Sequence, residues 1–282
     1  MNFRQLFQPK SLAKSLITAA FIAGVPVSVG VVATLTGLAA TPAVAVDVIN
    51  FDQKWLVSAD EARALIGNGA LVLDARNADL RAATPVQNAQ PISWRDLSNT
   101  RGQLSPDNAA LSLSLQALGV DASLPIVVLA DPLRDLGEDA QIVWALRSLG
   151  HGRIVMVDGG LPALQAAGLP TIQPPFNQGH FVVDRRDDWS IDALAPNHDL
   201  AGHDLAGRDL VRLKARAMSE LLTDDGRIRP RAEIAAWLAA KGIGHDTALA
   251  TDSAWLTTVL IDAGYQARQV VGSAQYPLTA AN

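Results

Sequence analysis

Residues 125–170 read PIVVLADPLRDLGEDAQIVWALRSLGHGRIVMVDGGLPALQAAGLP. Pro125 to Ala130 is a short aliphatic run rich in β-branched residues, the composition of a strand buried on both faces. Asp139 to Leu149 then sets Ile142, Val143, Leu146 and Leu149 on one side at helical spacing. Ile154 to Val157 is a second buried strand, and Gly159-Gly160 turns the chain into a short helix that ends at Gly168. Strand, helix, strand and helix in this order require crossover connections, and hence a mainly parallel sheet covered by helices on both faces.

The same alternation extends outward. Trp55-Leu56-Val57 is a strand, and Ser58 with Glu61 three residues later forms a capping box for a helix through Leu65, stopped by Gly67-Asn68-Gly69. Ala70 to Leu73 is a strand ending in Asp74-Ala75-Arg76, and a helix from Pro106 to Leu118 closes at Gly119. Beyond Gln173-Pro174-Pro175, a linker by composition, the scheme recurs. A helix from Pro230 to Lys241 ends at Gly242, Thr247 to Thr251 is a strand, Trp255 to Ala263 is a helix closed by Gly264, and Gln266 to Val271 is a strand before Gly272-Ser273. The repeat is a duplication on the scale of a domain. The expected organisation is α/β, with a first domain over residues 54–172, a linker over 173–180 and a degenerate second domain over 181–282. The early strand of the second domain has two candidates, FVVDRR from Phe181 and DLVRLKAR from Asp209.

Hydrophobic residues make up 49% of the 282-residue chain and aromatics 5%, which suits helices packed on short buried strands. A formal charge of −5 with no basic run argues against a nucleic-acid partner. The chain has no cysteine, which excludes disulfides, thiolate metal sites and every thiol nucleophile.

Arg4, Lys10 and Lys14 precede an uncharged stretch from Ser15 to Val46, longer than the ~20 residues a membrane-crossing helix needs. The basic flank places everything after Asp47 on the outer side. Residues 1–46 are therefore expected to form one hydrophobic helix, serving as a signal peptide or as an N-terminal membrane anchor. Ala43-Val44-Ala45 offers a small-x-small cleavage pattern, whereas the length of the stretch exceeds a signal core.

The order of these motifs resembles the tandem rhodanese (thiosulfate sulfurtransferase-type) family. PIVVLADP resembles the strand leading into that family's active-site loop, and WALRSLGHGRIVMVDGGLPALQAAGLP the helix, strand and glycine pair that follow. LVLDAR at Leu71–Arg76 and ISWRDL at Ile92–Leu97 resemble its early strand and next segment. LLTDDGRIRPRAEIAAWLAAKGIGHDTALATD and IDAGYQARQVVGS resemble the second domain. The resemblance implies two domains with mainly parallel central sheets flanked by helices. It also implies a sulfur-carrying cysteine at the end of the central strand, cradled by backbone N–H groups and the following helix dipole. The positions matching that cysteine are Asp131 and Asp252. A carboxylate forms no persulfide and competes with an anionic substrate, and Thr251-Asp252-Ser253-Ala254-Trp255 leaves few backbone donors for an anion.

Other candidates have plain alternatives. Asp131 and Asp252 could act as nucleophiles or metal ligands, and capping the following helix is the simpler role. Ser253 lacks a nameable His and acid partner. His198, Asp199, His203 and Asp204 recur at a spacing that fits neither one helix face nor one strand face, so the repeat around them reads as an exposed loop. Asp74 and Arg76 could grip an anion or pair internally, and Trp94, Trp144, Trp237 and Trp255 could mark a ligand groove, with core anchoring at helical spacing the simpler reading. The expected function is a catalytically inactive, exported or membrane-anchored binding or scaffolding module with no cofactor and no metal, and with a protein or membrane complex as partner. The alternatives are an enzyme of the sulfurtransferase family, or a small-anion or metal sensor that keeps the pocket.

Overall fold

The computed structural model describes residues 49–271 except 136, 176–177, 187 and 193–209. The hydrophobic helix expected within residues 1–46, the repeat with His198, Asp199, His203 and Asp204, and Gly272-Ser273 lie outside these residues. Among the described residues no helix is long and apolar enough to cross a membrane.

The first sheet is built as the apolar runs predict. β1 is Leu56–Val57, and α1 is Ala59–Gly67. The capping box forms, with Glu61 N donating to Ser58 Oγ at 3.3 Å and Ser58 N to Glu61 Oε2 at 2.8 Å. β2 is Leu71–Asp74, α2 Ala78–Ala83, β3 Gln90–Pro91, α3 Trp94–Leu97 and α4 Asn108–Ala117. β4 (Ile126–Leu129), α5 (Glu138–Ser148), β5 (Ile154–Val157) and α6 (Gly160–Ala166) complete the unit. The order across the sheet is β1-β5-β4-β2-β3, and every pairing is parallel. Two hydrophobic clusters cover its faces. One holds Leu73, Ile126 and Val128 with α3, α4 and α5, and the other holds Val72, Val127 and Leu129 with α1 and α6. Gly160 is required where α6 starts: its φ is 59°, and a Cβ there would lie 2.4 Å from Ala130 O.

The segment after Pro170 returns over this unit. Gly179 N donates to Gln116 O at 2.8 Å, Asp184 N to Leu149 O at 3.0 Å and Arg186 N to Ser148 O at 2.8 Å. Phe181 and Val183 are buried in the first cluster while Val182 is exposed. FVVDRR is therefore extended chain laid on α4 and α5, and the other candidate supplies the early strand of the second sheet.

That sheet contains β6 (Ser190–Asp192), β7 (Leu210–Leu213), β8 (Ala248–Thr251) and β9 (Ala267–Val271). A 3-10 helix at Ala215–Glu220, α7 (Arg231–Ala240) and α8 (Ala254–Asp262) connect them. The order is β6-β9-β8-β7, again all parallel. It reproduces the first sheet's β1-β5-β4-β2. The duplication extends to a turn not recognised in the sequence. Leu97–Ser105 (LSNTRGQLS) and Leu221–Arg229 (LLTDDGRIR) each close an antiparallel bridge, Ser98 with Leu104 and Leu222 with Ile228. Each turns on a left-handed glycine, Gly102 at φ 73° and Gly226 at φ 78°.

The two sheets belong to one compact unit, and one hydrophobic cluster runs through both halves. Asp262 of α8 fastens the edge of the first sheet, accepting from Trp55 N and Leu56 N, each at 3.0 Å. Trp55 and Trp189 meet edge to face at 5.2 Å, and the Arg147 guanidinium lies 4.3 Å from the centre of the Trp55 ring.

Candidate functional site

In open parallel sheets, chemistry collects beyond the carboxyl ends of the strands. Both halves present a loop there, between β4 and α5 and between β8 and α8. In the first half, residues 130–137 separate strand from helix. Asp131 O accepts from Arg134 N at 3.0 Å and from Asp135 N at 2.8 Å, which coils the loop into a turn. The Asp131 carboxylate is buried and pairs with Arg134 Nη2 at 2.6 Å. The N-cap of α5 is Gly137, in left-handed conformation and with no side-chain cap bond. Asp131 therefore folds its own loop and does not cap the helix as expected.

The second half of the chain packs against this loop. A side chain at Gly226 would meet Leu133 Cγ at 3.1 Å, and one at Gly137 would meet Met218 Cε and Trp255 Cβ at 3.4 Å. Ile228 N donates to Asp158 Oδ1 at 2.8 Å. The duplicated turn of the second half thus lies across the carboxyl ends of β4 and β5, and Trp255 stands beside the start of α5.

Only Asp252 and Ser253 separate β8 from α8. Ser253 is the N-cap, accepting from Leu256 N at 3.4 Å, so Asp252 does not hold the expected capping position either. Asp131 and Ser253 are each 4% exposed, whereas Asp252 is half-buried.

The hydroxyls of this loop satisfy one another. Thr251 Oγ1 donates to Ser253 O at 2.7 Å, accepts from Ser253 N at 3.2 Å and lies 2.8 Å from Thr257 Oγ1. Thr257 Oγ1 also bonds Ser253 O at 3.0 Å, and Ser253 Oγ donates to Met218 Sδ at 3.4 Å. Ser253 Oγ thus caps α8 and points at a thioether, and among the described residues no base is bonded to it.

Asp74 and Arg76 form an internal pair. Arg76 Nε and Nη2 reach Asp74 Oδ1 and Oδ2 at 2.9 and 2.7 Å, and Nη2 also donates to Thr84 O at 2.8 Å. Both side chains are buried, so the guanidinium fork fixes β2 to the end of α2. Trp94, Trp144 and Trp255 are buried, whereas Trp237 is partly exposed under Lys241 Nζ, 4.5 Å from its ring centre. One group has no counterpart in the sequence reading: Asp139, in the first turn of α5, is buried, and desolvation pushes its carboxyl up to about 7. Burial also raises the nearby Asp135 and Glu138. Among the described residues no group of three or more His, Asp or Glu side chains is placed to hold a metal ion.

No protein-family model and no curated sequence matches the chain. Solved structures do. The Escherichia coli 3-mercaptopyruvate sulfotransferase SseA, described for its rhodanese fold, matches at a TM-score of 0.60 and 16% identity, over 77% of this chain and 97% of its own. YnjE matches at 0.61 and 14% identity, over 76% of this chain and 64% of its own. Wild-type EanB matches at 0.59 and 14% identity, over 78% of this chain and 66% of its own. The chain thus spans nearly all of SseA and about two thirds of the other two. The α/β architecture, with its repeated parallel sheet order and glycine-started α6, is the rhodanese fold, carried by a chain that contains no cysteine.

Proposed function

We propose that this protein is a rhodanese-fold module that transfers no sulfur and serves to bind or scaffold another protein or a membrane complex. The observation that carries the reading is the second loop. The residues at the end of β8 are Asp252 and Ser253, and the hydrogen-bonding groups around Ser253 are engaged with one another or with α8. Sulfane sulfur transfer needs a thiolate and a ring of free N–H donors to hold the persulfide. The fold persists without them because its stability comes from the buried strands and α5 and α8, not from the loop.

The basic, then uncharged, N-terminal sequence supports export of the remainder, with residues 1–46 acting as anchor or as cleaved signal. Full-length protein supplied with cyanide and either thiosulfate or 3-mercaptopyruvate is expected to form no thiocyanate above a heat-treated control. Turnover above that control ends the non-enzymatic reading. Sizing the native protein extracted from membranes tests the scaffold: elution with a co-purifying partner is expected, and elution as an unpartnered monomer counts against it. Sequencing the mature N-terminus of the same sample distinguishes anchor from cleaved signal.

A further inference from the structure

We infer that the seam between the two sheets contains a built site for one buried water, held by Trp55 Nε1, Thr258 Oγ1 and Gln269 Oε1. Each of these atoms is buried and finds no hydrogen-bond partner among the described residues, and each residue is at least nine-tenths buried. Such groups are costly unless paired.

Backbone, ladder and ring contacts link the residues that carry them across the seam. Trp55 begins the edge of the first sheet, and its backbone N–H is held by Asp262 Oδ1 at 3.0 Å. Thr258 is one helical turn before Asp262, on the same stripe of α8. Gln269 pairs with Thr251 in the parallel ladder, so both side chains leave the same face of the sheet. That face is the one α8 covers, as the 2.8 Å contact from Thr251 Oγ1 to Thr257 Oγ1 establishes. Gln269 N donates to Trp189 O at 2.9 Å, and the Trp189 ring meets Trp55 at 5.2 Å. The circuit from Trp55 through α8 to Gln269 and back through Trp189 therefore closes.

The chemistry fits water. An indole N–H donates only, an amide oxygen accepts only, and a threonine hydroxyl does either. One water accepting from Trp55, donating to Gln269 and exchanging a bond with Thr258 makes the three contacts usual for a buried water. It would tie the edge of the first sheet to the helix and strand of the second.

The decisive experiment is a crystal structure of the unaltered protein at a resolution that shows ordered solvent. An isolated oxygen peak within hydrogen-bonding distance of all three atoms is expected, and its absence from a well-ordered seam overturns the inference. Thr258→Val gives a second, opposite-signed readout. If the water is bound, losing its hydroxyl partner lowers Tm, by about 2–4 °C for roughly 1 kcal/mol in a protein of this size. If the hydroxyl is simply unpaired, removing it leaves Tm unchanged or raises it, which refutes the site.

Discussion

The two halves of the molecule run the same strand order and differ at the strand-to-helix crossover. The first spends residues 130–137 between β4 and α5, enough to coil a turn, pair the buried Asp131 carboxylate with an exposed Arg134 and start the helix from a left-handed glycine. The second spends Asp252 and Ser253, enough only to cap α8. A cradle for an anion needs several consecutive N–H groups turned inward. The first loop has length and meets the turn around Gly226 through Leu133, which stays 62% exposed. The second consists of Asp252 and Ser253. The two halves thus differ in both the length and the surroundings of this crossover.

Five substitutions test that contrast, in descending order of effect. Arg76→Ala leaves the Asp74 carboxylate buried without its bidentate partner, and urea unfolding should show a loss of about 3–5 kcal/mol.

Asp139→Asn probes the start of α5, where Trp255 of α8 packs beside Gly137. A carboxyl raised from 3.8 to about 7 holds its proton more tightly in the folded chain than in the unfolded one. Its contribution is fully present below pH ~4 and is lost as pH rises through about 7. The Asn variant should match the parent near pH 4 and exceed it at pH 8 by on the order of 2–4 kcal/mol. A difference that does not change with pH would remove Asp139 as the titrating group.

Ser253→Ala removes the cap of α8 and should cost about 1 kcal/mol in thermal or urea unfolding. The smallest expected effect is none at all. Asp252→Cys and Ser253→Cys each place a thiol at the end of β8, and neither is expected to yield thiocyanate, because the short loop supplies no ring of donors. Sulfur transfer by either variant would show that the missing thiol alone, and not the shortened crossover, separates this chain from a sulfurtransferase.

Much of this was legible locally. Ser58 and Glu61 announced α1, and the aliphatic runs at Ile126 and Ile154 announced β4 and β5 with their bounds nearly intact. Elements too short to show a period were missed, among them β3, α3 and the 3-10 helix at Ala215–Glu220. The segment from Phe181 had the alternation of a half-buried strand, and its burial does alternate. Its partners are the carbonyls at the end of α5, and an alternating pattern carries no information about where such partners come from. In the site, the identity of the side chains was plain while their roles were not. Asp131 and Asp252 each follow a strand, yet Asp131 is buried in a loop that it coils itself, whereas Asp252 is half-buried directly ahead of the α8 N-cap.

What the sequence determined by itself is chemical and local: no sulfur atom able to form a persulfide, two rounds of strand and helix, and glycines where the chain must turn left-handed. Only the tertiary structure decided which extended segment enters the second sheet, that Ser253 and not Asp252 caps α8, and that the turn at Gly226 packs against the first loop. Those outcomes depend on hydrogen bonds and packing between residues far apart in the chain, and no local pattern of residues specifies its distant partner.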